Sequence, residues 1–249
     1  MDRMLLWASL LLNAGVLLAA AVVTARRGGW PYLRRRIGLV RGTAGVLHDE
    51  VNYARRLGVL EALPGRPGGV VMLGDSITEG CEWGEMLGRP DVANRGIGGD
   101  TSAGVLRRLD GVIALRPAAV CLMIGINDLG NGVPPGEVAA NVRAILARLR
   151  AAGVPEVVVQ SVLPLRRVAG NPYRAIVPDA AIAGLNEMLR DAAAGSGCAF
   201  LELHPVLAPG GELAAEYTGD GLHLTGAAYR RWAAQLLPLL PVPRSLPPS

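Results

Sequence analysis

The chain has 249 residues, which suits one α/β domain with an additional segment and leaves ample length for a core. Its net charge is +4, but seven arginines and one aspartate before residue 42 give that segment +6, so the remainder carries −2. Because the excess positive charge is confined to the N-terminal segment, the composition argues against a nucleic-acid-binding domain.

The N-terminal segment has the pattern of a membrane anchor. Residues 4–25 carry no charge and are mostly Leu, Ala and Val, a run long enough to cross a bilayer. Five arginines follow between residues 26 and 36, together with Trp30 and Tyr32, which suit a membrane interface. We therefore expect a single-pass anchor over residues 1–25 and a basic juxtamembrane linker over residues 26–45.

A cleaved signal peptide is the alternative for this segment, with Val23-Thr24-Ala25 as its cleavage site. The apolar run is longer than a usual signal core and only Arg3 precedes it, so the uncleaved anchor is favoured. The positive-inside rule then places the following domain in the cytoplasm, with export as the alternative. Cys81, Cys121 and Cys198 show no paired spacing, which is compatible with reduced thiols.

The rest of the chain alternates between strand and helix patterns. A helix is expected over 46–63, with an apolar packing face at Val46, Leu47, Val51, Tyr53, Ala54 and Leu57. Strands are predicted at 70–73, 119–124, 157–162 and 199–203, with a short strand at 92–95, and helices are expected near 102–109, 135–152, 178–194 and 225–239. The alternation predicts a three-layer α/β/α sandwich with a five-stranded parallel sheet over residues 46–240, followed by a Pro-rich tail over 241–249.

A serine stands where the first predicted strand turns into a helix. The segment Gly74-Asp75-Ser76 follows that strand directly, so Ser76 lies at the carboxyl end of a strand and the amino end of a helix. Backbone N–H groups there favour developing negative charge, which suits a nucleophile. Many harmless helix-capping serines occupy the same position, so the interpretation depends on partners elsewhere in the chain.

Such partners follow the other predicted strands. Small residues surround Gly99 after the second strand and Asn127 after the third, and Asp220 stands three residues before His223 ahead of the last helix. Ligands of parallel α/β sheets gather at the carboxyl ends of the strands, and Gly221 permits the tight turn that brings Asp220 and His223 together. A serine, a histidine, an aspartate, an amide side chain and a glycine N–H are the groups needed for acyl transfer through a covalent intermediate.

These segments, in this order, resemble the sequence blocks of the SGNH (GDSL) hydrolases over residues 70–237. The Gly-Asp-Thr-Ser block and the Asp-Gly-Leu-His ending look closest to the branch with platelet-activating-factor acetylhydrolase-like and carbohydrate acetylesterase proteins. The resemblance implies a flavodoxin-like SGNH hydrolase fold and esterase or lipase activity that requires no metal or organic cofactor.

The resemblance also implies a role for each residue of the site. Ser76 is the expected nucleophile, His223 the general base, and Asp220 the group that orients the base. The backbone N–H groups of Ser76 and Gly99 and the side chain of Asn127 form the expected oxyanion hole. The expected substrates are short-chain acyl esters, lysophospholipid-type esters or acetylated sugars.

Two other functions remain open at this point. The first is an acyltransferase that uses the same site, and the second is a membrane-anchored binding protein without turnover. Asp75, Asp128 and His204 are expected to be structural, Thr101 and Ser102 to cap the next helix, and Trp83 to line the pocket or to belong to the core.

Overall fold

The computed structural model describes residues 50–63, 67–168, 171, 173 and 176–243, all within one unit that spans residues 48–249. The strands are β1 (Val70–Gly74), β2 (Val92–Gly96), β3 (Ala119–Met123), β4 (Glu156–Gln160) and β5 (Ala199–Leu201). The helices are α1 (Glu50–Ala62), α2 (Ser76–Glu79), α3 (Trp83–Met86), α4 (Ser102–Arg107), α5 (Leu109–Ile113), α6 (Ile126–Gly130), α7 (Pro135–Ala151), α8 (Asp179–Gly195), α9 (His204–Leu207) and α10 (Gly226–Leu236). Short 3₁₀ turns occur at Ala215–Tyr217 and Leu237–Leu239.

The sheet is parallel throughout, with the strand order β2-β1-β3-β4-β5. Every residue of β1 and β3 is buried, because helices cover both faces of the central strands. The five-stranded parallel sheet confirms the predicted fold class. The chain runs from β1 to β2 on one side and then crosses to β3 on the other side of β1. The strand order therefore reverses between β1 and β3, and in such folds ligands bind in the crevice at the carboxyl ends of these two strands.

The helices pack in groups around this sheet. The long helices α7 and α8 contact each other, and α7 also contacts α4. On the C-terminal side, α10 contacts α3 and α9, and Trp83, Tyr229 and Trp232 form an aromatic cluster there with ring centroids 4.7 to 6.1 Å apart. This cluster packs α10, which follows the loop with Asp220 and His223, against the segment just after Ser76.

The predicted packing face of the first helix is wrong in part. Val51 is 77% exposed and Ala54 is also exposed, whereas Leu60 is the buried residue of α1. The helix packs through Tyr53 and Leu57, as predicted, and also through Arg56 and Leu60, at helical spacing. The predicted Val46 and Leu47 lie outside the described residues. The contact face of α1 is therefore not a purely apolar stripe, because it includes the charged Arg56.

A smaller difference concerns the boundaries of one helix. The helix expected near 102–109 is two short helices, α4 and α5, that meet at Arg108. Arg108 donates from Nε to Asp100 and from Nη2 to the carbonyl oxygen of Gly74, so it joins the helix junction to the loop after β2 and to the end of β1.

The predicted anchor over 1–25 and linker over 26–45 lie outside the described residues. Among the residues that are described, no helix has both the length and the apolar character that a bilayer span requires.

Candidate active site

Three of the predicted site residues follow neighbouring strands. Ser76 comes after β1, Gly99 after β2 and Asn127 after β3, so the sheet brings all three to one edge. The close packing of this edge follows from β1 lying between β2 and β3 in register, with Gly74 paired to both Gly96 and Met123.

Ser76 is the first residue of the one-turn helix α2, but it does not cap that helix. The N-cap is Asp75, whose carboxylate accepts the backbone N–H of Ile77 at 3.0 Å. Within the described part of the chain, the Ser76 backbone N–H has no hydrogen-bond acceptor and its hydroxyl contacts only His223. The helix-capping alternative for Ser76 is therefore excluded, and the Ser76 hydroxyl is directed to His223.

His223 links Ser76 to Asp220. Its Nε2 lies 3.0 Å from Ser76 Oγ, and its Nδ1 lies 2.6 Å from Asp220 Oδ2. The turn between Asp220 and His223 requires Gly221, which has φ +84° and whose Cβ, if present, would lie 2.5 Å from the carbonyl oxygen of Arg166. A bridge between Thr218 and Leu224 closes the base of this turn.

Asp220 is held in its ionised form by its neighbours. Partial burial alone would raise its pKa, but the hydrogen bonds from the His223 side chain and from the backbone N–H groups of Leu222 and His223 outweigh burial and lower the pKa. A carboxylate that remains ionised can keep the proton of the imidazole on Nδ1, which leaves Nε2 as the acceptor facing Ser76.

Gly99 lies in a turn with φ +73°, a conformation that glycine adopts without strain. Hydrogen bonds anchor both sides of this turn. The Gly98 N–H donates to Glu79 Oε2 at 2.5 Å, and the carbonyl oxygen of Asp100 accepts from Asn127 Nδ2 at 2.9 Å. Glu79 also pairs with Arg56 of α1, whose Nε lies 3.2 Å from Glu79 Oε1.

Asn127 is almost fully buried, and its orientation is fixed by two partners. Its Nδ2 must face the Asp100 carbonyl oxygen, which can only accept, and its Oδ1 accepts from the Tyr173 hydroxyl at 2.6 Å. Among the described residues, the second hydrogen on Nδ2 has no acceptor. Tyr173 was not predicted as a site residue, and no local motif marks it, because it lies 46 positions from Asn127 in the sequence.

The other polar residues considered have structural surroundings. Thr101 caps α4, whereas Ser102 does not and instead donates to Asp128 at 2.7 Å. His204 Nε2 lies 2.8 Å from the carbonyl oxygen of Val162, away from Ser76. Trp83 is 1% exposed in the aromatic cluster and therefore belongs to the core, and burial raises the pKa of the Cys81 thiol to about 12, so that thiol is not activated.

The ionisation of the buried Asp75 depends on folding. Burial, assisted by the nearby charges of Asp100 and Asp128, raises its pKa from 3.8 to about 7, although its hydrogen bond with Ile77 N–H acts in the opposite direction. Between about pH 4 and pH 7, the native protein therefore keeps a proton on Asp75, whereas the unfolded chain has already released it.

We expect Asp75→Asn to stabilise the protein at alkaline pH. Asparagine keeps the N-cap acceptor but needs no proton, so the wild type loses stability relative to this variant as pH rises through the window from about 4 to 7. At roughly 1.4 kcal/mol per pKa unit, the difference reaches at most about 4 kcal/mol above pH 7. Thermal unfolding at several pH values measures it, with the exposed Asp191→Asn as control. A pH-independent difference between the Asp75 variant and the wild type would contradict this assignment.

The geometry as a whole provides a hydroxyl in contact with an imidazole, a carboxylate on the far side of that imidazole, and hydrogen-bond donors on adjacent loops. Such a set can deliver an alkoxide-like oxygen to an electrophilic carbonyl and stabilise the negative charge that forms.

Comparisons with known proteins identify the family and the fold. The model of the GDSL-like lipase/acylhydrolase family matches residues 72–231. No protein with curated annotation matches the sequence significantly.

Solved structures have the same fold. A Streptococcus pneumonia protein described as a candidate platelet activating factor is 25% identical with a TM-score of 0.67, over 74% of this chain and 91% of that one. A GDSL-like lipase from Bacteroides thetaiotaomicron is 28% identical with a TM-score of 0.63, over 74% and 95% of the two chains. An acetyl-xylooligosaccharide esterase from Geobacillus, 20% identical with a TM-score of 0.57 over 73% and 99%, shares the fold.

Proposed function

Since this chain belongs to the GDSL-like lipase/acylhydrolase family and is an ester-bond hydrolase, we propose that it cleaves carboxylic esters through a covalent acyl intermediate on Ser76. The observation that carries this proposal is the continuous hydrogen-bond chain from Ser76 Oγ through the imidazole of His223 to Asp220 Oδ2, with distances of 3.0 and 2.6 Å. No metal or organic cofactor takes part in the proposed reaction.

In the first step, Ser76 Oγ attacks the ester carbonyl carbon while its proton moves to His223 Nε2. Asp220 stabilises the imidazolium that forms and keeps the ring in the orientation that faces Ser76. The low pKa of Asp220 supports this role, because the carboxylate stays ionised while the imidazole becomes charged.

The oxyanion of the tetrahedral intermediate accepts hydrogen bonds from three donors in this proposal: the backbone N–H groups of Ser76 and Gly99 and the side chain of Asn127. The absence of an acceptor for the Ser76 N–H among the described residues supports the first, and the remaining Nδ2 hydrogen of Asn127 supports the third. Loss of one such donor typically lowers kcat by about 10²- to 10³-fold.

In the second step, the imidazolium protonates the leaving alcohol, and the imidazole then activates a water molecule that releases the acid from Ser76. We favour water over an acceptor alcohol because the side chains of His223 and Asp220 are 49% and 55% exposed, so solvent reaches the base directly. Product analysis with an added acceptor alcohol separates hydrolysis from acyl transfer, since only transfer yields the new ester.

A panel of esters tests the proposed activity and the substrate class together. The full chain is assayed with acyl esters of increasing length, acetylated sugars and lysophospholipids, and it is treated with a serine-directed phosphonate. We expect the protein to hydrolyse esters and the phosphonate to modify a single residue, Ser76. A protein that hydrolyses none of these esters and resists the phosphonate would exclude the proposed mechanism.

Tyr173→Phe tests whether Asn127 acts in the transition state. The variant loses the hydroxyl that donates to Asn127 Oδ1, a bond worth about 1 kcal/mol, so we expect kcat to fall about 3- to 10-fold with KM unchanged. Steady-state kinetics on one ester measures this, and Tyr217→Phe serves as control because the Tyr217 hydroxyl makes no hydrogen bond among the described residues.

The double variant with Asn127→Ala sharpens the same test. If Tyr173 acts only by positioning Asn127, its replacement has no further effect on kcat once the amide is gone. Additive effects of the two changes would assign Tyr173 a separate role.

The uncharged segment over residues 4–25 leads us to propose also that the enzyme is anchored to a membrane, with its catalytic domain on the cytoplasmic side. An anchor brings lipid esters within reach, although acetylated sugars suit the same site. Protease accessibility in intact cells and in permeabilised cells tests the orientation. Cleavage of the domain in intact cells would instead place it on the exported side.

A further inference from the structure

A cavity of about 550 Å³ lies between α1 and the junction of α4 and α5, and its lining includes none of the proposed active-site residues. Leu57 and Leu60 of α1 form one wall, and Val112 and Leu115 form part of the other. This volume is within the range of small-molecule sites in proteins.

Arg95 lies at the cavity and is 6% exposed. Its guanidinium has one hydrogen bond in the described part of the chain, from Nη1 to the backbone carbonyl oxygen of Asn94 at 3.2 Å. By contrast, the buried Arg89 pairs with Asp91 and Arg108 with Asp100. A buried cation without a carboxylate is costly, and burial, with the nearby Arg56 and Arg108, lowers the pKa of Arg95.

The other charges around the cavity do not neutralise Arg95. Arg107 is exposed at the cavity and forms no ion pair among the described residues. Asp110 pairs outward with Arg148, so Glu61 is the remaining acidic side chain at the cavity. In the part of the chain that the structure describes, the guanidinium groups of Arg95 and Arg107 thus have no carboxylate partner, and Glu61 is the one acidic side chain left to balance them at the cavity, so the cavity favours a ligand with negative charge.

We propose that this cavity binds an aliphatic carboxylate. The carboxylate group pairs with Arg95 through the parallel N–H bonds that guanidinium groups form with carboxylates, and the aliphatic chain lies along Leu57, Leu60 and Leu115. The binding supplies the counter-charge that Arg95 lacks and removes the apolar wall from water. It requires no ester cleavage, so it goes beyond the proposed activity and does not depend on it.

The binding of sodium octanoate to the full chain by isothermal titration calorimetry tests the proposal. Acetate carries the charge without the chain, and 1-octanol carries the chain without the charge. We expect octanoate to bind at a single site and the other two to bind at least about tenfold more weakly, because each lacks one half of the interaction. Equal affinity for octanoate and 1-octanol, or no binding of octanoate, would overturn the proposal.

Two variants locate the binding. Arg95→Gln removes the charge and should weaken octanoate binding by about tenfold or more. Gly111→Leu fills the cavity from the side of α5. A Cβ at Gly111 meets no atom within 4 Å, and leucine favours a helix more than glycine does, so this variant should fold.

Gly136→Leu is the matched control, since Gly136 is also helical, also has open space around its Cβ and lies away from the cavity. It should bind octanoate as the wild type does, whereas Gly111→Leu should lose about tenfold or more in affinity. Unchanged affinity in Gly111→Leu would show that octanoate binds elsewhere, for example at Ser76, and would reject the cavity as its site even if Arg95→Gln failed to fold.

Discussion

Replacement of Ser76 by alanine is expected to lower kcat by about 10⁶-fold, the largest effect of any single change in this protein. The variant lacks the oxygen that forms the acyl intermediate, while the donors of the proposed oxyanion hole stay in place. The residual rate should therefore still exceed that of the uncatalysed reaction by about 10³-fold or more. Burst kinetics and phosphonate labelling should both disappear.

This change should leave the fold intact. The hydroxyl of Ser76 contacts only His223 among the described residues, and the cap of α2 belongs to Asp75, so alanine removes no structural hydrogen bond. Thermal unfolding should shift little, and Ser196→Ala at the end of α8 is the control for activity. Substantial hydrolysis by the Ser76 variant would rule out Ser76 as the nucleophile.

His223→Gln is expected to lower kcat by a comparable factor, about 10⁵- to 10⁶-fold, because glutamine cannot accept the serine proton. The nucleophile is still present in this variant but is not activated. Phosphonate labelling of Ser76 should therefore become very slow but should still occur. That difference separates a lost base from a lost nucleophile.

His204→Gln is the matched control for this change. His204 contacts the carbonyl oxygen of Val162 and the side chain of Asn186, so glutamine there should change the unfolding temperature and leave kcat nearly unaltered. If the His223 variant kept most of its activity, or if the His204 variant lost it, the base would have been assigned to the wrong histidine.

The sheet could be predicted from the sequence because its physical cause is local. Strands buried on both faces must be apolar at every position, and Val70–Gly74 and Ala119–Met123 meet that condition without interruption. Their boundaries were predicted to within about one residue. β4 was displaced because the predicted strand extended to Val162 across the polar residues Gln160 and Ser161, whereas strand pairing ends with Gln160, whose side chain accepts from Trp232.

The contacts that position the site were harder to predict because they join distant parts of the chain. Ser76, Gly99, Asn127, Asp220 and His223 were marked by motifs at strand ends, and the structure places Ser76, Asp220 and His223 in contact. Tyr173 and Arg56 carry no such mark, since each acts on a loop of the site only after the chain has folded. The assignment of a helix cap also failed at Ser102, where a buried aspartate competes for the hydroxyl.

The hydrogen bond between Ser76 and His223 spans 147 positions of the chain, and α10 still follows it. During synthesis, His223 leaves the ribosome long after Ser76, Gly99 and Asn127. In the proposed mechanism, a growing chain is thus inert until residue 223 has emerged and folded back onto the first strand. We therefore expect translation that stops before residue 223 to yield a protein without esterase activity, so that in this mechanism the ability to cleave esters is acquired only near the end of synthesis.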